Sequence, residues 1–293
     1  MGAGDVWAVT KHTVKEGLDD KVMRLAAALS FYTMLSLGPL LLLLITIAGL
    51  LIGTQSAQDQ VVAQVKEMMG SNVASTVETI ISQKGSTAGG IIGMVVGFVL
   101  LAFGATGIVS QLQEALDKVW EVEKPGGLKA AVLSRAKGLL VILLAGVLLF
   151  AVTISSTFIT SAGDWISGYF GGSRLIPWVI DVFISLLLIV PLFALLFRAL
   201  PDVKIAWEDV WVGAAATAVL FIVGKYLISL YLGYSSTTST YGAAGSLVAL
   251  LIWVYYSAII FLFGAEFTRV YAHRTGKEIV PEEGARRLEP TAC

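Results

Sequence analysis

Residues 226–265 read YLISLYLGYSSTTSTYGAAGSLVALLIWVYYSAIIFLFGA, 40 positions without one charged side chain. A helix needs roughly 20 apolar residues to cross the hydrocarbon core of a bilayer. The run therefore holds the end of one span and the whole of the next, joined by the polar turn Gly233–Thr240. Tyr241-Gly242-Ala243-Ala244-Gly245-Ser246 opens the last span, and its core runs from Leu247 to Phe263 with Trp253, Tyr255 and Tyr256 inside it. Small residues at its start let the helix approach a neighbour closely. Glu266 and Arg269 mark its return to water.

Working outward, 56% of the chain is hydrophobic and only 14% is charged, too apolar for a soluble domain of 293 residues. The pattern is that of a polytopic membrane protein. The net charge of -1 carries no message about partners, so the placement of charge has to be read instead. The lone cysteine, Cys293, forms no internal disulfide and offers no metal cluster. The first 24 residues carry Asp5, Glu16, Asp19 and Asp20 and lack the form of a cleaved leader, so the first span is expected to act as its own insertion signal.

Taken in order, the expected fold class is all-α: a bundle of six transmembrane helices, with amphipathic helices in the N-terminal segment and the first outer loop. Residues 1–24 form a cytoplasmic amphipathic segment in which Val14, Leu18 and Val22 recur every fourth position. It reads as a helix lying on the membrane with Trp7 near the headgroups, or as an ordinary packed helix. The membrane domain is 25–270, with spans at about 25–52, 89–112, 138–160, 175–200, 210–232 and 242–265. The outer loop 55–88 predicts two short helices broken at Gly70-Ser71-Asn72, lying over the outer mouth or forming a plain surface hairpin. Gly89, Gly93 and Gly97 share one face of span two and suit close packing within the chain or in a homo-oligomer. The tail 271–293 is expected to be disordered. Sixteen of the twenty Lys and Arg fall in the N-terminal segment, the 113–137 loop, the 198–204 turn and the tail, against Lys66, Lys84 and Arg174 on the other side. This bias puts both termini in the cytoplasm of a bacterial inner membrane.

Two stretches in this order carry a resemblance: AALSFYTMLSLGPL at 27–40, and YGAAGS at 241–246 followed by WVYYSA at 253–258 and GAE at 264–266. Over roughly residues 10–275 the chain resembles the YihY/BrkB family of bacterial inner-membrane proteins. The resemblance implies six helices and cytoplasmic ends. It implies little about activity, since members are described as transporters or virulence-associated proteins, some under an old ribonuclease label, with no agreed catalytic residues.

Asp181 in span four and Lys225 in span five lie about 10 Å below the outer edge at 1.5 Å per residue. A lone charge at that depth is costly, so the two are candidates for a solute or ion path, or for a structural pair. Pro39 and Pro191 interrupt spans one and four, and transporters use broken helices to coordinate substrate; Tyr32 and Ser36 share the helix of Pro39 and could add hydroxyls. Tyr241, Glu266 and Arg269 at the two ends of span six are candidate gates, although Glu266 and Arg269 also suit a local helix pair. The favoured reading is a secondary-type transporter of a small solute or ion, without a cofactor; no P-loop is present, so active transport would depend on an ion gradient. A lipid-handling protein is the alternative, because the basic loops suit anionic headgroups. An enzyme, and a ribonuclease in particular, is disfavoured: His12 and His273 have no metal-ligand spacing, no carboxylate set resembles a two-metal site, and no aromatic-lined basic groove suggests nucleic acid.

Overall fold

The structure is a computed structural model, and it describes residues 3–69, 71–82, 107–123, 133–141, 144–148, 175–234, 245–275, 279–282 and 285–287. The helices described are α1 (Ala3–Asp19), α2 (Val22–Ile52), α3 (Thr54–Met69), α4 (Ser71–Ser82), α5 (107–119), α6 (133–141, with 144–148 also helical), α7 (Leu175–Ala199), α8 (Trp207–Tyr234) and α9 (Gly245–Arg274). Gly89, Gly93, Gly97 and Tyr241 lie outside the described residues, as do the side chains of Ser36, Pro39 and Asp181.

Val182–Ala199, Trp207–Ile228 and Leu247–Arg274 are long and apolar enough to cross a membrane. A spanning segment must satisfy its own backbone groups, which a helix does internally. The molecule is an all-α membrane bundle. α2 and α7 run through Pro39 and Pro191 without interruption, so neither proline breaks its helix as the sequence reading suggested.

α7, α8 and α9 pack side by side around rings. Phe197 and Phe261 have centroids 5.1 Å apart, Phe193 and Phe221 5.7 Å, and Phe221 and Trp253 6.3 Å. Such pairs add about 0.5–1.5 kcal/mol each beyond their burial. On the outside of α7, Val179, Phe183 and Leu187 recur at four-residue intervals and stay exposed, the surface a bilayer would cover. Two GxxxT pairs set the contact between α8 and α9. A Cβ at Gly213 would meet Thr268, and one at Gly264 would meet Thr217. Each threonine hydroxyl donates to the carbonyl of the glycine four residues back on its own helix, at 2.7 Å in both cases.

The outer loop folds as two helices, α3 ending at Met69 and α4 starting at Ser71. Ala57, Val77 and Ile81 close around Ile45 of α2, while Val65 reaches the Ala249–Leu250 contact at the start of α9. This hairpin is packed onto α2 and α9.

Where disorder was expected, the described parts of the tail, 271–275, 279–282 and 285–287, hold regular structure. The last helix continues to Arg274. Strand β1 (Val122–Glu123) pairs antiparallel with β4 (Arg286–Arg287), and β2 (Val203–Lys204) with β3 (Val280–Pro281). Polarity alone suggested a mobile tail, whereas two loops offer it free backbone partners. Buried Asp202 is the knot: its N–H donates to Asp117 Oδ1 at 3.0 Å, and its carbonyl accepts from Glu282 N–H at 2.9 Å. Glu282 also pairs with Lys137 at 3.0 Å. Replacing Asp117 with Ala leaves a buried N–H unpaired, at a cost of about 1–3 kcal/mol. Asp117→Asn keeps the oxygen and should cost far less. Hydrogen exchange at 279–287, compared across the two variants, checks this.

Candidate functional site

The segments that the charge bias assigned to one side meet at one end of the bundle. α1, the end of α5, the 200–206 turn and the tail all gather around the C-terminal end of α9. Trp207 and Trp211 are exposed at the start of α8 on this same end, where aromatic side chains mark a membrane–water border. Thr275 donates to Asp209 Oδ1 at 3.3 Å and ties the start of α8 to the end of α9.

The centre of this end is Arg269. Its side chain is 4% exposed, and four carboxylates surround it. Its Nη1 lies 2.6 Å from Glu121 Oε1. Its Nη2 lies 3.0 Å from Glu16 Oε2, 3.5 Å from Asp20 Oδ2 and 3.1 Å from Glu266 Oε2. Only the Glu266 contact is the local i,i+3 pair expected from the sequence. The others come from α1, from the joint after α1 and from the end of α5.

Local backbone chemistry delivers these groups. Val9, Thr13 and Gly17 form the buried face of α1, and Gly17 is needed because a Cβ there would strike the ring of Phe263. α1 thus packs along the end of α9, with Trp7, Val14 and Leu18 left exposed. Lys21 then takes a left-handed conformation (φ 57°) that separates α1 from α2 directly after Asp20. Glu121 does the same at the end of α5 (φ 53°), where Trp120 and Glu121 donate back to Leu116 and Lys118. A left-handed residue other than glycine costs about 1–2 kcal/mol. Both such residues among those described sit at this cluster, and strain of this kind concentrates at working sites.

The four acids are not equivalent. Glu121 makes the shortest contact, but its side chain is 56% exposed, so water screens that pair. Glu266 is 0% exposed, and as a carboxylate it finds no donor for either oxygen; only through a proton can it bond the Asp20 carboxyl. Asp20 faces it, and burial pushes the Asp20 carboxyl above the usual aspartate range. The hydrogen bond with Glu266 and the charge of Arg269 oppose that shift only in part.

A cavity of about 480 Å³ opens against the cluster, lined by His12, Glu16, Glu121, Arg269, His273 and Arg274 among others. His12 Nδ1 lies 3.6 Å from Glu16 Oε1. Nothing in the sequence signals that the two histidines share a wall, because they lie at opposite ends of the chain. Among the described residues no group of three or more His, Cys, Asp or Glu is placed to hold a metal ion.

The other candidates fall elsewhere. Lys225 is half-buried on α8 and does not line this cavity. Tyr32 is exposed, edge-on to Phe31 at 6.0 Å. On the same helix as Tyr32, the Ser30 hydroxyl donates to Ala26 O at 2.7 Å. Pro191 is half-buried within α7. Glu266 and Arg269 are the two candidates brought together, and Glu16, Asp20 and Glu121 are the partners that sequence reasoning missed.

Relatives place the chain. UPF0761 membrane protein RSc1559 of Ralstonia nicotianae is 25% identical over 88% of this chain and 57% of its own length. The UPF0761 membrane protein of Albidiferax ferrireducens is 27% identical over 88% of this chain and 61% of its own length. The chain thus spans less than two thirds of these relatives. YfkH of Bacillus subtilis, whose name calls it ribonuclease-like, is 23% identical over 90% of this chain and 94% of its own length. No solved structure matches. The family model described as virulence factor BrkB matches residues 13–289, and the chain is a membrane protein of the BrkB family.

Proposed function

We propose that the chain is a secondary-type transporter of a small solute or ion in the bacterial inner membrane, with both termini cytoplasmic and the Arg269 cluster as its inner gate, here closed. One observation supports this above the rest: a single buried guanidinium joins α1, the end of α5 and α9. An ionic clasp between separate elements can open as a unit, whereas a packed apolar seam cannot be switched by charge. The cavity beside the clasp, walled by His273 and Arg274 beyond Arg269 on α9, is the vestibule a solute would enter. Lys225 and Asp181 remain candidates for the path beyond it, and Pro39, Pro191, Tyr32 and Ser36 for its lining.

Liposomes holding the full chain and a trapped pH-sensitive dye test the reading. A panel of amino acids, small organic anions and inorganic cations should contain at least one member that drives proton flux. Glu121→Ala, which weakens the clasp without leaving a buried charge, should change that flux severalfold. Silence across the panel, with scrambling of fluorescent lipids in its place, would transfer the assignment to lipid handling. The exposed Trp7, Val14 and Leu18 of α1, beside Lys11 and Lys15, favour that second reading.

A further inference from the structure

We propose that Asp20 and Glu266 form a proton-binding site, holding one shared proton when α1 is clasped to α9 and releasing it when the clasp opens. The proposal deepens the gate reading and rests on it for its role in transport, but the proton site itself stands on the geometry.

Glu266 is fully buried, and as a carboxylate it finds no donor for either oxygen. Arg269 Nη2 is 3.1 Å from Oε2, close enough for attraction but without hydrogen-bond alignment. The Asp20 carboxyl shares that nitrogen with it, Oδ2 lying 3.5 Å from Nη2 against 3.1 Å for Glu266 Oε2, and it is an acceptor too. Two carboxylates in contact repel and can bond only through a proton, as in paired-acid sites. One proton makes one acid a donor and the other its acceptor. It also lowers the charge around Arg269 from four acids to three.

The other charged groups facing the pair are few. Arg269 on α9 and Lys118 on α5 favour ionised acids, while Glu16 on α1 and Glu121 at the end of α5 oppose them. Burial outweighs the cations at Asp20, so its carboxyl stays protonated above the ordinary aspartate range. Protons reach the pair from the cavity, whose wall contains His12 and Glu16 with 3.6 Å between them; Glu16 in turn shares Arg269 Nη2 with Asp20.

The sign follows. A carboxyl raised in the clasped form binds more protons clasped than open, so the clasp is firm at low pH and weakens as pH rises past the ordinary carboxylate range. No transported solute is needed for the chemistry: the proton exchanges with water, and no other bond is made or broken.

The test uses the full chain in nanodiscs and two readouts. Infrared difference spectra across a pH titration should contain the carbonyl band of a buried protonated carboxyl, lost at high pH, and absent in Glu266→Gln and in Asp20→Asn. Hydrogen exchange of α1, corrected for intrinsic rates, should rise at least tenfold from acid to alkaline pH in the native chain and stay low throughout in Glu266→Gln. A native chain without the band, or a Glu266→Gln variant that keeps the native pH response, would overturn the proton site. If the band and the response are present while liposomes show no solute-driven flux, the proton site stands and the transporter reading fails.

Discussion

Replacing Arg269 with Met should cost about 3–5 kcal/mol of stability near neutral pH, the range measured when one partner of a buried ion pair is removed. The side chain is 4% exposed and is the shared cation for Glu16, Asp20, Glu121 and Glu266. Without it, a fully buried Glu266 and a partly buried Asp20 face each other with no counter-charge. Most of the loss comes from those stranded acids and little from Glu121, which water already screens. The variant should therefore recover at low pH. With the guanidinium gone, the acids take up protons in the folded state at higher pH than in the unfolded chain, so the penalty is small in acid and grows as pH rises through their folded range. Arg269→Lys should fall between the two, because one ammonium cannot fan out to four carboxylates on two nitrogens. Unfolding in a denaturing detergent at several pH values, with Arg269→Met/Glu266→Gln alongside, checks the account. The double variant should regain a large part of the loss. A flat pH response, with no rescue by Glu266→Gln, would mean that Arg269 contributes through packing.

The sequence made the membrane class plain and made the site only half visible. Apolar runs separated by charge announce spans because the bilayer sets a length that composition must meet. The bias of Lys and Arg also grouped α1, the 113–137 loop, the 198–204 turn and the tail, and those segments do meet at one end. Glu266 and Arg269 could be singled out because their spacing is local. Glu16, Asp20 and Glu121 could not, since nothing in their neighbourhood marks them as partners of a residue near the other end of the chain. A hint existed in hindsight at Gly17, whose missing side chain lets α1 lie against Phe263. The two αL residues, Lys21 and Glu121, were invisible for a plain reason: neither is a glycine or an asparagine, the residues that usually advertise that conformation. The order at 279–282 and 285–287 is not legible because two-residue strands leave no periodic pattern to read.

The same logic of missing side chains makes the α8–α9 seam the second sensitive place. Gly213→Ala should destabilise the bundle by about 1–3 kcal/mol, the usual penalty of overpacking, and Gly213→Val by more. The added Cβ would overlap the hydroxyl and methyl of Thr268, and Thr268 cannot easily turn away because its hydroxyl is bonded to Gly264 O. Gly264→Ala should behave alike through Thr217, held in the same manner by Gly213 O. The motif is reciprocal, so its partners can be distinguished by pairing. Gly213→Ala with Thr268→Gly should regain stability beyond the sum of the single changes, even after the cost of about 1 kcal/mol for glycine in a helix. Gly213→Ala with Thr217→Gly, in which the second change lies on the same helix and away from the clash, should show no such recovery. Equal coupling in both pairs would place the strain within α8 and remove the close approach of the two helices as its cause. Because the Gly213–Thr268 contact is less than one turn from Arg269, a wedge there should also loosen the clasp. Faster hydrogen exchange of α1 in Gly213→Val, at a pH where the native chain is protected, would reveal that link, whereas Gly224→Ala, whose Cβ meets Tyr256 and Ile260 further along the seam, should leave α1 as it is.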